Sequence, residues 1–544
     1  MTPQAPASSA PESTPAPETI GMARAASLIA AGNVASRVLG LARETVIANL
    51  FGATELVSAF RVAQIIPTML YDLLVGGMVS SALVPLFSEQ AERDRRELWG
   101  QASLVLSLAV VVLGAAVLLI ELAAPWVAIL MAAGLFENGH NSNALLQTTT
   151  RLIRLTTPAV LFLSLSGIIT GLLYALKRFA LPAFTAAIFN ATMVGVALLG
   201  VWGFGWGIEV LALGLLLGAF LQLALQLPGL RDAHLRFVID LKHPALRRIG
   251  KLYLPIIFGL VISQIAIALD RNLASRTGLQ SIAWMQNATT LIQFPLGLVS
   301  AAISLAILPS LSRLAAVAAA GLDDFIATLA KGLRLVLVLI IPATVALFIL
   351  AQPIIALIFQ HGKFTAFDTQ QTALALRLYL LGLTFAAIDQ PLIFAYYARQ
   401  NTLTPALVGL LGVGFYLAAA LLPALFRPMQ MTDLVLANSV QLTGHALVML
   451  WLVNRMAPLG GRGLGSTTLK AAAASAGMGL VLWGVITLLP GWLPADNLIG
   501  EMILVGASSL AGGAVYLLAL YLLRVPELSL LLGMVKRVWR RFGL

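Results

Sequence analysis

Three charged side chains interrupt an apolar stretch near the start of the chain. The segment from Gly32 to Gly52 reads GNVASRVLGLARETVIANLFG and carries Arg37, Arg43 and Glu44. An arginine at the centre of a bilayer costs about 2.5–3.5 kcal/mol on insertion scales, so it is rarely kept there without a partner. The planar guanidinium donates two parallel hydrogen bonds to phosphate or carboxylate oxygens. These arginines are therefore candidate ligands for an anion held inside a helix bundle.

The two arginines are not expected to act side by side. They are six residues apart, so on a straight helix they point about 120° away from each other. Arg61 is a third candidate, in the next apolar stretch. The alternatives are that an arginine snorkels to the membrane surface or pairs with Glu44 for packing alone, and a Glu44–Arg61 pair is one such arrangement. The uncharged donors on the same two stretches complete the candidate substrate site: Asn33, Ser36 and Gln64.

A second polar set lies far along the chain, at Asp389, Asn438 and His445. These side chains are candidate ligands for a coupling cation, and for His445 an interhelical hydrogen bond is the alternative. The chain has no cysteine, no paired Cys/His spacing, no HExxH and no Walker sequence, so no metal site and no ATP site is predicted. We expect no cofactor, and transport driven by the membrane potential or by a Na⁺ or H⁺ gradient.

The composition places these residues in a membrane. The chain of 544 residues is 59% hydrophobic and 10% charged, and its mean hydropathy is +0.93. Runs of about 20 apolar residues predict membrane spans. There are fourteen of them, at 25–50, 57–86, 102–132, 151–176, 182–203, 207–229, 250–272, 282–309, 332–359, 372–398, 403–426, 431–454, 467–489 and 500–523. We therefore predict an all-α integral membrane protein.

Basic residues predict the orientation of the spans. With the N-terminus inside, 24 Lys and Arg residues fall on the cytoplasmic side and 6 on the outer side. This distribution follows the positive-inside rule, so the net charge of +11 needs no nucleic-acid partner. Both termini are expected to be cytoplasmic.

An internal repeat divides the spans into two lobes. Arg154, Tyr174 and Pro182 recur 223 residues later as Arg377, Tyr397 and Pro405, and LVPLFS at 83–88 recurs as ILPSLS at 307–312. Six spans per lobe is an even number, so the repeat is parallel. The predicted segments are a disordered tail (1–21), an N-lobe of six spans (22–230), a cytoplasmic connector (231–249), a C-lobe of six spans (250–456), two further spans (457–525) and a basic amphipathic segment (526–544).

Several motifs occur in a fixed order along the chain. They are SRVLGLARETVIANLFGA at 36–53, Ile66-Pro67, LVP at 83–85, FALPAF at 179–184, ILPSLS at 307–312 and GKFTAFD at 362–368. The ordered set resembles the MviN/MurJ family of lipid II flippases, in the MOP superfamily. The resemblance implies a cationic cavity for the diphosphate of a lipid-linked cell-wall precursor, with Arg37 and Arg43 in the positions of the family's first-helix arginines. It also implies a bacterial inner membrane and contact with other cell-wall synthesis proteins.

The sequence departs from the family pattern at three cavity positions. Ser58 stands where the family has an acidic residue, Tyr71 or Asp72 where it has a basic one, and Thr290 where it has an arginine. The leading hypothesis is a flippase, not an enzyme, that moves an anionic lipid-linked precursor, expected to be lipid II, to the outer leaflet by alternating access. The alternatives are a flippase or exporter of another lipid-linked glycan or small amphiphile, and a membrane scaffold that does not transport.

Overall fold

The structure is a computed structural model that describes residues 17–137, 142–317, 321–489, 498–530 and 533. Within these ranges the regular elements are helices, and no strand occurs. They are α1 (Pro17–Phe51), α2 (Glu55–Tyr71), α3 (Val84–Arg93), α4 (Arg95–Ala132), α5 (Gly134–Glu137), α6 (Ser142–Thr156), α7 (Ala159–Ala175), α8 (Ala180–Ala183), α9 (Thr185–Leu198), α10 (Glu209–Ala224), α11 (Pro244–Arg276), α12 (Ser281–Pro295), α13 (Ala302–Ala316), α14 (Leu322–Ile349), α15 (Ala351–Phe359), α16 (Ala366–Ala398), α17 (Leu403–Leu421), α18 (Met431–Met456), α19 (Leu464–Leu488) and α20 (Leu498–Leu522).

Twelve helical segments in the described ranges are long and apolar enough to cross a membrane. The predicted all-α membrane architecture is confirmed, but the count of fourteen is not. The two remaining predicted spans correspond to α1 and α11, which have 35 and 33 residues and fall outside the twelve. α1 is the helix that carries the three charged residues named above.

Three predicted boundaries need comment. α1 begins at Pro17, so residues 17–21 are helical and not part of a disordered tail, while residues 1–16 lie outside the described residues. α11 begins at Pro244, because proline fits the first helical turn and the Nδ1 of His243 accepts a hydrogen bond from the Ala245 N–H at 3.1 Å. The connector is therefore shorter than predicted. Most of the basic segment 526–544 lies outside the described residues.

The long helices of the C-lobe start at side-chain caps. Thr365 and Asp368 form a reciprocal capping box at the start of α16, and Gln430 and Asp433 form one at the start of α18. Each cap satisfies backbone N–H groups that have no partner within the helix. These two helices pack against each other, so their caps fix the register of the C-lobe core.

Kinks recur at equivalent positions of the two lobes. The second predicted span passes through π-helical segments at Asp72–Gly76 and Val79–Leu83, and the eighth passes through one at Leu296–Ala301. The segments at 72 and 296 begin 224 residues apart, the same displacement as Pro85 and Pro309. π-helical turns and prolines both bend helices. The two bent spans therefore occupy corresponding places in the fold.

A contact between helices is repeated as well. The Nε of Arg154 donates to the backbone oxygen of Glu121 at 3.2 Å, and the Nε of Arg377 donates to that of Phe348 at 3.2 Å. The two arginines are the pair that revealed the repeat in the sequence. In each lobe, therefore, this arginine closes the same helix pair, between the third and fourth predicted spans of its lobe.

The lobes touch at both ends of the bundle. Where α1 ends, the Lys363 N–H donates to the Asn49 oxygen at 2.9 Å. Gly52, at φ +68°, lies against Lys363, and a side chain there would collide with the Lys363 carbonyl. At the opposite end, the Glu89 carboxylate in α3 accepts a hydrogen bond from the Arg248 Nη1 in α11 at 2.8 Å. The polar residues of α1 lie between these two contacts.

Candidate functional site

Arg37 reaches from the N-lobe to the C-lobe. It lies on α1, and its Nη1 donates to the backbone oxygen of Gln293 in α12 at 2.8 Å. The guanidinium rests on Gly297, where a β-carbon would come within 1.8 Å of Nη2. Among the described residues no acidic side chain forms an ion pair with Arg37. Most of its five N–H donors thus stay available for an anion.

Arg43 and Arg61 share a single carboxylate. Glu44, on α1, is 1% exposed. The Arg43 Nη2 lies 2.6 Å from its Oε1, and the Arg61 Nη2 forms an ion pair with its Oε2. Arg61 is buried, because its side chain is 3% exposed, whereas the Arg43 side chain is 19% exposed. Two guanidinium groups against one carboxylate leave the cluster with a charge of about +1 at neutral pH.

The prediction that Arg61 lines the substrate site is therefore wrong for this conformation. Its Nη1 also donates to the Gln64 Oε1 at 3.0 Å, so Gln64 serves the buried cluster as well. The Glu44–Arg61 pair that the sequence left as an alternative is the arrangement found. A buried charge requires such a partner, because removal from water costs several kcal/mol per ion.

Asn190 is a site residue that the sequence analysis missed. It lies on α9, its Oδ1 accepts from the Arg43 Nη1 at 2.9 Å, and its Nδ2 donates to the Ser36 oxygen at 3.1 Å. One amide thereby fixes both the guanidinium and the backbone of α1. The available signal was an isolated asparagine in an apolar helix, where an unpaired amide would be costly. Ser36 thus contributes its carbonyl, and Asn33, four residues before Arg37, is exposed on the same side of α1.

The three departures from the family pattern supply no positive charge. Ser58 is buried and its hydroxyl has no hydrogen-bond partner. The Thr290 hydroxyl donates to the Gln286 oxygen of its own helix at 2.9 Å. Tyr71 packs against Gly167, and Asp72 lies one turn from Gly76. The positive charge described at this site comes from α1 and α2 alone.

The second polar set is brought together in part. The Nδ1 of His445, on α18, lies 2.9 Å from the Oδ2 of Asp389, on α16, and both side chains are about 15% exposed. Asn438 precedes His445 by two helical turns, so it lies about 10 Å further along α18. In the described part of the chain no group of three or more His, Cys, Asp or Glu side chains is placed to hold a metal ion.

Comparisons with known proteins agree with this architecture. The family model described as lipid II flippase MurJ matches residues 47–501, a range that starts just after the charged residues of α1. The chain is 33% identical over 386 residues to a lipid II flippase MurJ of Burkholderia cenocepacia, which covers 69% of this chain and 73% of that protein. It is 34% identical over 399 residues to a probable lipid II flippase MurJ of Vibrio cholerae, with coverage of 71% and 74%.

Solved structures give the same result. A lipid II flippase MurJ in an inward closed conformation superimposes with a TM-score of 0.75 and 26% identity, over 90% of this chain and 97% of that one. An inward-facing MATE family multidrug resistance transporter of the MOP superfamily superimposes with a TM-score of 0.64 over 78% and 95%, but at 14% identity it shares the fold alone. From the family match and these relatives, the chain belongs to the lipid II flippase MurJ family.

Proposed function

We propose that this protein moves lipid II from the inner to the outer leaflet of the bacterial cytoplasmic membrane. The observation that carries the proposal is Arg37, a cation between the lobes with no acidic partner among the described residues. A diphosphate carries the charge and the oxygen geometry that a guanidinium binds best. The family consists of flippases and not enzymes, so the protein changes the location of its substrate and not its bonds.

The cluster around Glu44 supports the same function at one remove. It adds a charge of about +1 beside Arg37, and Arg43 is its most exposed member. Arg43 is held by Glu44 and Asn190, so its guanidinium is oriented before the substrate arrives. A preorganised donor binds more tightly because less side-chain freedom is lost on binding.

Movement of an anionic headgroup outward is favoured by an inside-negative membrane potential. The potential contributes about 2.3 kcal/mol per charge per 100 mV. Cytoplasmic N- and C-termini, supported by the distribution of Lys and Arg, place the connector and the Glu89–Arg248 contact on the inner side. Association with other cell-wall synthesis proteins stays a prediction.

The test is complementation of a bacterium depleted of its own MurJ. The wild type should restore growth, and Arg37→Ala should abolish or strongly reduce it at equal membrane expression. Arg43→Ala should have a smaller effect, because Arg43 is already partly neutralised. Arg93→Ala is the matched control, since that side chain is 73% exposed at the end of α3. Absence of rescue by a wild-type protein that inserts normally would contradict the proposal.

A further inference from the structure

We infer that the Asp389–His445 pair is a proton-binding site that couples transport to the proton gradient, an inference that rests on the proposed function. The pair lies on α16 and α18, within predicted spans and apart from the arginines of α1 and α2. Its two side chains are 14% and 15% exposed. Neither contributes to the positive charge offered to an anion.

The repeat shows what this position holds in the other lobe. Ser166 and Gln222 each precede Asp389 and His445 by 223 residues, and they too are in contact, with the Gln222 Nε2 donating to the Ser166 Oγ at 3.1 Å. The same pair of helices thus holds a neutral hydrogen bond in the N-lobe and two ionisable groups in the C-lobe. Packing alone is satisfied by the neutral pair. The ionisable pair adds the ability to change charge.

The chemistry of the pair favours a proton over a metal cation. A carboxylate and an imidazole at 2.9 Å are within hydrogen-bond distance and share one proton between them. With that proton the pair is neutral overall, and without it the pair carries one negative charge. A hard cation such as Na⁺ prefers several oxygen ligands, whereas this site offers one carboxylate beside an imidazole.

The neighbouring helices leave this charge change uncompensated in part. The Asp389 Oδ1 is buried without a hydrogen-bond partner. Tyr397, on the same helix, is in electrostatic contact with Asp389, and α17 presents Gly412 to the imidazole. The ionisable groups of α11, α16 and α17 nearest along these helices are engaged elsewhere. Tyr416 donates to the Asp270 Oδ1 at 2.7 Å, and Arg271 donates to the Gln286 Oε1 at 3.0 Å.

Loss of the proton therefore places a net charge among apolar helices. A buried unpaired charge is costly, so the deprotonated pair favours a conformation in which water or another group reaches it. A site whose charge depends on protonation and whose exposure depends on conformation links the two equilibria. Protons that enter from the more acidic outer side and leave inside would drive the substrate outward.

The experiment measures lipid II flipping by the full chain in proteoliposomes under a one-unit pH gradient of either sign, with the membrane potential clamped at zero. For one proton per cycle, the two gradient directions should change the wild-type rate by up to about tenfold. Asp389→Ser with His445→Gln installs the N-lobe pair and should make the two rates equal. Asp389→Asn alone should do the same and serves if the double variant does not insert. Ser166→Ala is the control and should keep the gradient response.

The outcomes separate this inference from the proposed function. Equal wild-type rates in both gradients, or a gradient response that survives in Asp389→Asn, would overturn the proton site while flipping itself stands. A response to a Na⁺ gradient with none to pH would also overturn it. No flipping by the wild type under any condition would instead contradict the proposed function.

Discussion

The two lobes share a helix order but hold different polar groups. The N-lobe buries a permanently charged cluster, with Glu44 between Arg43 and Arg61. The C-lobe buries Asp389 and His445, whose charge changes with pH. In turn, the helices that carry Asp389 and His445 correspond to N-lobe helices joined by the neutral Ser166 and Gln222. A repeated scaffold has thus been given anion chemistry on one side and proton chemistry on the other.

The comparison predicts that the buried charges of the N-lobe matter most for folding. Glu44→Gln should destabilise the protein by about 3–5 kcal/mol, because it leaves Arg61 buried without a counter-charge. Asp389→Asn should cost much less, because an amide still bonds to the imidazole. Thermal unfolding of the two purified variants in the same detergent measures the difference.

A second variant sharpens this prediction. Glu44→Gln combined with Arg61→Gln removes both buried charges and should recover much of the lost stability. Equal thermal stability of Glu44→Gln and the wild type would break the comparison, since it would mean that the N-lobe cluster is not a buried ion pair.

The next effect concerns the place where the lobes meet at Arg37. Gly297→Ala would put a β-carbon 1.8 Å from the Arg37 Nη2, so the guanidinium must move away from α12. Only the end of a flexible side chain has to shift, and alanine is a better helix former than glycine by up to about 1 kcal/mol. We therefore expect normal stability and a severalfold loss of flipping, measured in proteoliposomes.

Gly195→Ala is a suitable control for that variant. Nothing lies within 4 Å of a β-carbon placed at Gly195, so this substitution should leave flipping unchanged. A Gly297→Ala protein that flips at the wild-type rate would show that the position of Arg37 against α12 is unimportant.

Much of this arrangement was predictable from the sequence. The apolar runs gave the helices, the 223-residue displacement gave the repeat, and the cost of charge in a membrane singled out the arginines. The partner of each arginine was not predictable. An arginine side chain is long enough for either Arg43 or Arg61 to reach Glu44, and only the packing of α1 against α2 shows that both do. The Gln293 carbonyl is invisible to sequence because every residue has one.

The smallest expected effect lies at the other contact between the lobes. The hydrogen bond and the charge of Arg248 hold the pKa of the Glu89 carboxyl below its ordinary value of 4.5. A lowered pKa means that the contact stabilises the protein above about pH 4.5 and that this contribution is lost as the pH falls through the lower folded value. Glu89→Gln should slightly reduce thermal stability at pH 7 and leave stability unchanged at the acid end. A loss of equal size at both pH values would contradict this origin.

The central claim is that Arg37 binds the anionic headgroup of the transported lipid. The most direct measurement is the rate of lipid II flipping by purified Arg37→Ala in proteoliposomes, beside wild type of matched thermal stability. A hydrogen bond to a charged group contributes about 1.5–3 kcal/mol, which corresponds to a loss of about tenfold or more. Arg37→Ala that folds normally and flips lipid II as fast as the wild type would contradict the claim.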